Sequence, residues 1–214
     1  MTDLAALRKT YSQRTLSETD VLPDAVRQFR QWLDEALAAQ VEEPTAMTVS
    51  TVSPTGQPSS RVVLLKGLPD EASFLFYTNY DSQKGQELAA HPLAALNFFW
   101  PALERQVRVE GRVEKAPEPM STAYFQSRPR SSQLGAWASP QSQEIGSREE
   151  LEAREAAMAE KFGDLNPLPR PPEWGGYILT PTRIEFWQGR PSRLHDRIVY
   201  WREGDHWRLS RLAP

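Results

Sequence analysis

From Thr45 to the C-terminus the chain runs in short stretches that alternate apolar and polar residues, each stopped by a turn signal. A period of two sends successive side chains to opposite faces of an extended backbone, so such stretches become half-buried strands. Residues 47–51 and 60–66 flank a Ser-Pro-Thr-Gly-Gln-Pro turn at 53–58, the mark of a hairpin. Further strands are expected at 74–78, 93–100, 106–115, 176–179, 183–187, 197–202 and 207–212. In 106–115, Val107, Val109 and Val113 face one way and Gln106, Arg108, Glu110 and Arg112 the other. About eight strands joined by short turns predict a mainly antiparallel sheet, of a length and number that suit closure into a small barrel.

Helices enter separately. Pro23-Asp24 opens a pattern in which Val26, Phe29, Leu33 and Leu37 recur at three and four to about Ala39, with Trp32 and Ala36 beside them. A short helix ends at Pro92 behind a Ser82 or Asp81 cap, and another over 119–126 is stopped by Arg128-Pro129. Ser147-Arg-Glu-Glu150 matches a capping box and starts a helix that ends at Gly163. Residues 131–142 are polar and are expected to form a flexible loop around Trp137. The class is therefore α+β, with an N-terminal arm over 1–22 and a single domain over 23–214.

Composition excludes several chemistries. The chain has no cysteine, so disulfides, thiolate catalysis and Cys-ligated metals are excluded, and three scattered histidines make no metal motif. Lys plus Arg (25) against Asp plus Glu (28) leaves a net charge of -3, with no general pull towards nucleic acid or an anionic membrane. No apolar run approaches a membrane span and no signal peptide is visible, so a cytoplasmic protein is expected. Phosphate-loop, dinucleotide-fold and nucleophile-elbow motifs are missing.

Basic and hydroxyl residues instead gather where elements end. Arg193, His195 and Arg197 alternate, so an extended chain would put all three on one face, either a solvated surface or a patch built for an anion. Arg61 and Lys66 lie five apart, an odd separation that on a regular strand sends them to opposite faces, where they serve two anions or merely end a core strand. Tyr124 and Arg128, four apart, share a helical face with Ser131 and Ser132 beyond, as a phosphate site or a solvated helix end. Trp137 and Trp187 are core aromatics or platforms for a flat ring. Several such clusters on a net-acidic chain suggest two bound phosphates and a planar ring.

These residues resemble a known family. The segments Arg61-Val-Val-Leu-Leu-Lys66, Phe76-Tyr-Thr-Asn79 with Ser82 and Lys84, Leu103-Glu-Arg-Gln-Val107 and Tyr124-Phe-Gln-Ser-Arg-Pro-Arg-Ser-Ser-Gln-Leu-Gly-Ala-Trp137 are similar to the pyridoxine 5′-phosphate oxidase family. So are Trp174-Gly-Gly176, Ile184-Glu-Phe-Trp-Gln-Gly189, Arg193-Leu-His-Asp-Arg197 and Arg211-Leu-Ala-Pro214. The resemblance, in order from about Arg8 to the last residue, implies an FMN-binding split β-barrel with peripheral helices, working as a homodimer with flavin at the subunit interface. It implies oxidation of pyridoxine 5′-phosphate or pyridoxamine 5′-phosphate to pyridoxal 5′-phosphate by dioxygen, releasing hydrogen peroxide and, from the amine, ammonia.

Carried over motif by motif, the resemblance implies FMN contacts at Arg61, Val62, Val63, Leu64, Leu65, Lys66, Tyr77, Thr78, Lys84, Gln106, Gln141, Ser142, Trp187 and Arg197. It implies a substrate-phosphate clamp of Lys66, Tyr124, Arg128 and Ser132, with Arg193, Leu194 and His195 at the substrate ring, Arg193 and His195 being catalytic. Arg8 and Tyr11 resemble an arm that closes over substrate. Gln83 departs from the pattern, standing where a second cation is expected before Lys84. The lost charge assistance implies FMN binding weaker by about 1 kcal/mol. A related split-barrel flavoprotein would share the FMN residues without the clamp, and a non-catalytic pyridoxal phosphate carrier would keep the clamp without flavin.

Overall fold

The computed structural model describes residues 3–6 and 10–214. Its strands are β1 (Ala46–Val52), β2 (Pro58–Leu64), β3 (Phe74–Asn79), β4 (Leu93–Trp100), β5 (Arg105–Lys115), β6 (Trp174–Gln188), β7 (Asp196–Glu203) and β8 (His206–Arg211). Helices α1 (Ala25–Ala38), α2 (Gln83–Ala90), α3 (Glu118–Ser127), α4 (Arg130–Ala138) and α5 (Arg148–Phe162) lie outside the sheet order. All named strand pairs are antiparallel, in the order β2-β1-β4-β5-β6-β7-β8, with β3 also on β6.

The long β6 explains how the sheet closes. One end, Trp174–Leu179, pairs with β3, and the other, Arg183–Gln188, pairs with β7. Past the end of β2, Lys66 N–H donates to Leu75 O at 2.7 Å and Leu75 N–H to Gly67 O at 3.0 Å. These bonds join β3 back to the β2 end and complete a ring, leaving β7 and β8 as an extension. At the bend, the β5–β6 register shifts between Glu110 and Gly111, where a Cβ would meet Thr180 O at 2.2 Å.

The barrel is filled from one side by α1. Asp24 caps this helix by accepting the Arg27 N–H, and Val26, Phe29, Trp32, Leu33 and Ala36 turn inward. Phe29 meets Phe98 and Phe74 at ring separations of 4.7 and 4.9 Å, and Trp32 meets Phe186 edge-on at 5.1 Å. Burying a side chain such as Phe29, fully enclosed here, stabilises the fold by roughly 2–3 kcal/mol. The expected stripe holds at Val26, Phe29 and Leu33 and fails only at its end, where Leu37 is 51% exposed.

Three further expectations are corrected. Residues 131–142 are not a loop: Arg130–Ala138 is helical, and Gln133, buried inside it, donates to Gln126 O and Arg128 O and accepts from Leu168 N–H. The strands expected at 176–179 and 183–187 are one continuous β6. The chain is not extended from 193 to 197, because Pro191–Arg193 is a 3-10 turn in which Ser192 and Arg193 have φ of 57° and 63°. No helix among the described residues is long and apolar enough to cross a membrane.

Candidate active site

A cleft of about 810 Å³ opens where β2, the end of β3, the start of α2 and the α3–α4 elbow meet. Its volume is within the roughly 300–1,000 Å³ of small-molecule sites. Arg61 and Lys66 both line it, which corrects the opposite-faces expectation: β2 stops at Leu64, so strand alternation no longer governs Lys66. Val62, Val63 and Leu64 line it too, whereas Leu65 is 4% exposed and packs in the core.

At one end of the cleft, the cations Arg61 and Lys84 meet a buried carboxylate. Glu87, on α2, accepts hydrogen bonds from Thr51, Ser59 and Gln83 and pairs with Arg61 at 3.4 Å. Burial alone would raise its pKa, but the bonds from Thr51, Ser59 and Gln83 and the Arg61 charge together hold it below the usual range. The Gln83 amide is thus engaged with Glu87, at 2.9 Å. Lys84 is also buried, its Nζ donating to Thr78 Oγ1 at 3.0 Å and Gln141 Oε1 at 3.2 Å. Burial, then the Arg61 charge, pulls Lys84 down to about 8, with Glu87 opposing.

Elsewhere on the cleft the rings of Tyr77, Tyr124 and Trp174 lie nearly parallel, Tyr77 being 3.9 Å from Tyr124 and 5.4 Å from Trp174, and Tyr124 6.2 Å from Trp174. The Arg128 guanidinium lies over Trp174 at 4.8 Å, and its Nη1 is buried with no hydrogen-bond partner. Burial lowers the Arg128 pKa, and its buried Nη1 leaves a donor to spare. Lys66, Tyr124 and Ser132 line the same cleft, as do Gln141 and Ser142. Arg128, Lys66 and the hydroxyl donors, together with Arg61 and Lys84, suit a ligand set bearing two phosphates. The stacked aromatics suit flat rings, so these residues fit FMN with a phosphorylated substrate.

The remaining expected residues form a second group on β5, β6 and β7. Gln106, Trp187 and Arg197 are cross-strand neighbours, and Arg197 bonds Glu185 at 2.8 Å and Ala213 O at 2.8 Å. The rings of His195 and Tyr11 lie 4.7 and 5.6 Å from Trp187. His195 Nδ1 accepts the Arg190 N–H at 3.0 Å, and burial with the nearby Arg193 lowers its pKa against Asp196. Arg193 and Leu194 are exposed. None of Tyr11, Gln106, Trp187, Arg193, Leu194, His195 and Arg197 lines the cleft. Arg8 lies outside the described residues. Sequence reasoning missed Trp174 as a cleft residue and Glu87 as the buried partner of the cleft's Arg61; the four-residue spacing of Gln83 and Glu87 on one helix face was the available signal for the second.

Comparison with known proteins gives the following. A family model described as pyridoxamine 5′-phosphate oxidase matches residues 33–161, and one described as the pyridoxine 5′-phosphate oxidase C-terminal dimerisation region matches 174–214. The chain is 59% identical to a pyridoxine/pyridoxamine 5′-phosphate oxidase of Cupriavidus metallidurans and 60% identical to one of Ralstonia nicotianae, over the full length of both partners. Among solved structures it is similar to PhzG of Burkholderia lata in complex with tetrahydrophenazine-1-carboxylic acid, with 30% identity, a TM-score of 0.88 and coverage of 96% of this chain and 100% of that one. A pyridoxamine 5′-phosphate oxidase-related, FMN-binding protein of Nostoc punctiforme shares the fold, with a TM-score of 0.69 at 19% identity over 87% of this chain and 97% of its own.

Proposed function

The chain belongs to the pyridoxamine 5′-phosphate oxidase family of FMN-dependent oxidoreductases, and from that premise we propose that it oxidises pyridoxine 5′-phosphate and pyridoxamine 5′-phosphate to pyridoxal 5′-phosphate. The observation that carries the substrate reading is the buried, unpartnered Arg128 Nη1 in a cleft that Lys66, Tyr124 and Ser132 also line, in addition to Arg61 and Lys84. Four cationic side chains on one cleft, Arg61, Lys66, Lys84 and Arg128, suit two phosphorylated ligands better than one. The non-phosphorylated ring acid in the PhzG structure would leave the Arg128 subsite without the phosphate it is built to hold.

In this reading Arg61, Thr78, Lys84, Gln141 and Ser142 hold the FMN phosphate and its neighbourhood, and Lys66, Tyr124, Arg128 and Ser132 hold the substrate phosphate. Bound FMN supplies a two-electron acceptor, which dioxygen regenerates with release of hydrogen peroxide; the amine substrate takes up water and releases ammonia. The anionic handles fix the substrate at a distance from its reacting carbon, so binding energy goes into orientation. Arg193 covers the substrate ring with a planar cation, a task a lysine would do less well. His195 is neutral near pH 7, and because its Nδ1 accepts the Arg190 N–H, the ring proton sits on Nε2. It therefore donates to the substrate from Nε2, which orients a hydroxyl or amine and does not take up its proton at Nδ1.

The two residue groups lie apart in one chain, so a complete site draws the cleft from one protomer and Gln106, Trp187, Arg193, His195 and Arg197 from its partner. The C-terminal dimerisation-region match supports that homodimer. The test is an oxidase assay on the yellow, FMN-loaded protein with each vitamer phosphate and with a phenazine-type ring acid, reading peroxide against pyridoxal phosphate. Mixing unfolded Arg128→Ala and Arg193→Leu chains and refolding them should then restore about a quarter of normal activity, since half the dimers are mixed and each holds one intact site. No peroxide from either vitamer ends the substrate assignment; no recovery on mixing ends the shared site.

Lys84 adds a pH signature. Phosphate raises the pKa of a lysine it contacts, so FMN binds with a proton taken up once the free lysine has begun to lose its own, near 8. The FMN Kd should be flat below that value and rise several-fold by about pH 9. Titration of FMN fluorescence checks it, and Lys84→Met should bind FMN weakly with no such rise.

A further inference from the structure

We infer that Glu104 is a positioning residue for this reaction, acting through Tyr11; the inference rests on the proposed function and concerns a residue that the reading above leaves without a role. Glu104 is only 3% exposed, and its Oε2 accepts two consecutive backbone N–H groups of the N-terminal segment, Ser12 at 2.8 Å and Gln13 at 3.0 Å. These residues are some ninety positions away in sequence, so the contact fixes where the segment lies on the barrel. The residue immediately before them is Tyr11, whose ring rests against Trp187 and His195.

The backbone of Glu104 is equally committed. It has φ of 55°, an unusual value for a residue with a side chain, and its carbonyl accepts from Gly189 N–H at 2.7 Å and Gln188 Nε2 at 3.2 Å. Glu104 thus ties the arm to the Gln188–Gly189 end of β6, and Gly189 is the floor beneath the Tyr11 ring. A Cβ at Gly189 would stand 2.7 Å from Tyr11 Cγ and 2.8 Å from its Cβ, which no rotation of the ring relieves. One residue sets the height of the arm and another leaves room for the aromatic ring. Both act on Tyr11 without standing in the cleft themselves. Glu104 and Gly189 thus gain a role, within the Leu103-Glu-Arg-Gln-Val107 and Trp187-Gln-Gly189 segments, that ligand binding does not supply.

The test uses the FMN-loaded enzyme in two readouts. Amide exchange at Ser12 and Gln13, followed by mass spectrometry without substrate, reads the anchor; KM and kcat for pyridoxine 5′-phosphate read its use. Glu104→Ala should speed exchange and raise KM, each about tenfold, the size expected for hydrogen bonds to a charged acceptor, with FMN content unchanged. Glu104→Gln, which keeps an acceptor oxygen at the same reach, should restore most of both. Glu104→Asn, which tolerates the positive φ but falls short of the arm, should not. Gly189→Ala should raise KM in the same way. In a Tyr11→Ala background the Glu104→Ala effect on KM should vanish. An equal KM rise in that background, or unchanged exchange in Glu104→Ala, overturns the assignment. If the unsubstituted enzyme turns over no vitamer phosphate, the proposed reaction fails, while the exchange readout still decides the anchor.

Discussion

Arg193→Leu should lower kcat by about two orders of magnitude while FMN content stays near that of the unsubstituted enzyme. The guanidinium sits on an exposed turn away from the Arg61–Lys84 pair, so its loss leaves the cofactor's anion subsite intact. What disappears is a flat cation placed over a flat substrate, an interaction that leucine replaces in bulk but not in charge. Arg193 has φ of 63°, a left-handed position whose Cβ cost arginine and leucine share, so the substitution adds no backbone strain and Tm should stay close to that of the unsubstituted enzyme. Arg193→Lys should recover part of the rate. A leucine enzyme with normal turnover would remove Arg193 from the reaction.

Arg61→Ala should weaken FMN binding about a hundredfold, which is roughly 2.7 kcal/mol, and also destabilise the protein before any cofactor is added. The second effect comes from Glu87. Its side chain is 5% exposed and Arg61 is its ion-pair partner, so alanine leaves a buried carboxylate held by neutral donors alone. Breaking such a pair costs about 3 kcal/mol. Adding Glu87→Gln should return most of that stability and none of the FMN affinity, since the anion's own partner is still missing. Chemical denaturation of the apoprotein and FMN titration measure the two separately. Recovery of both in the double variant would mean that Arg61 serves the fold alone.

Much of the architecture was legible because its cause is local. The hairpin of β1 and β2 has alternation and turn residues in the right places, and α1 and α5 have caps that act within a few residues. What escaped reading depends on distant partners. Residues 130–138 lack an apolar stripe, and their helix is held by Gln133 bonding to Leu168 and by Trp137 packing on Phe162. The alternation of Arg193, His195 and Arg197 misled because two positive φ values after Pro191 break the strand, and composition does not announce them. Arg61 and Lys66 were legible as cations at an element's end, but their common cleft follows from where β2 stops. Glu87 was legible only as an acid spaced four from Gln83; that it is buried against Arg61 was not.

The length of β6 has a quantitative implication for how such a protein is switched on. Trp174 at its start belongs to the cleft and Trp187 near its end to the second group, thirteen residues along the strand, or about 40 Å at the usual rise. The strand bends where its register with β5 shifts, so this is length along the chain, and in the proposed shared site its two tips serve different reaction centres of the dimer. In the proposed shared site, catalytic competence is a property of concentration: separation of the protomers on dilution should silence both reaction centres together, and reassociation should restore both.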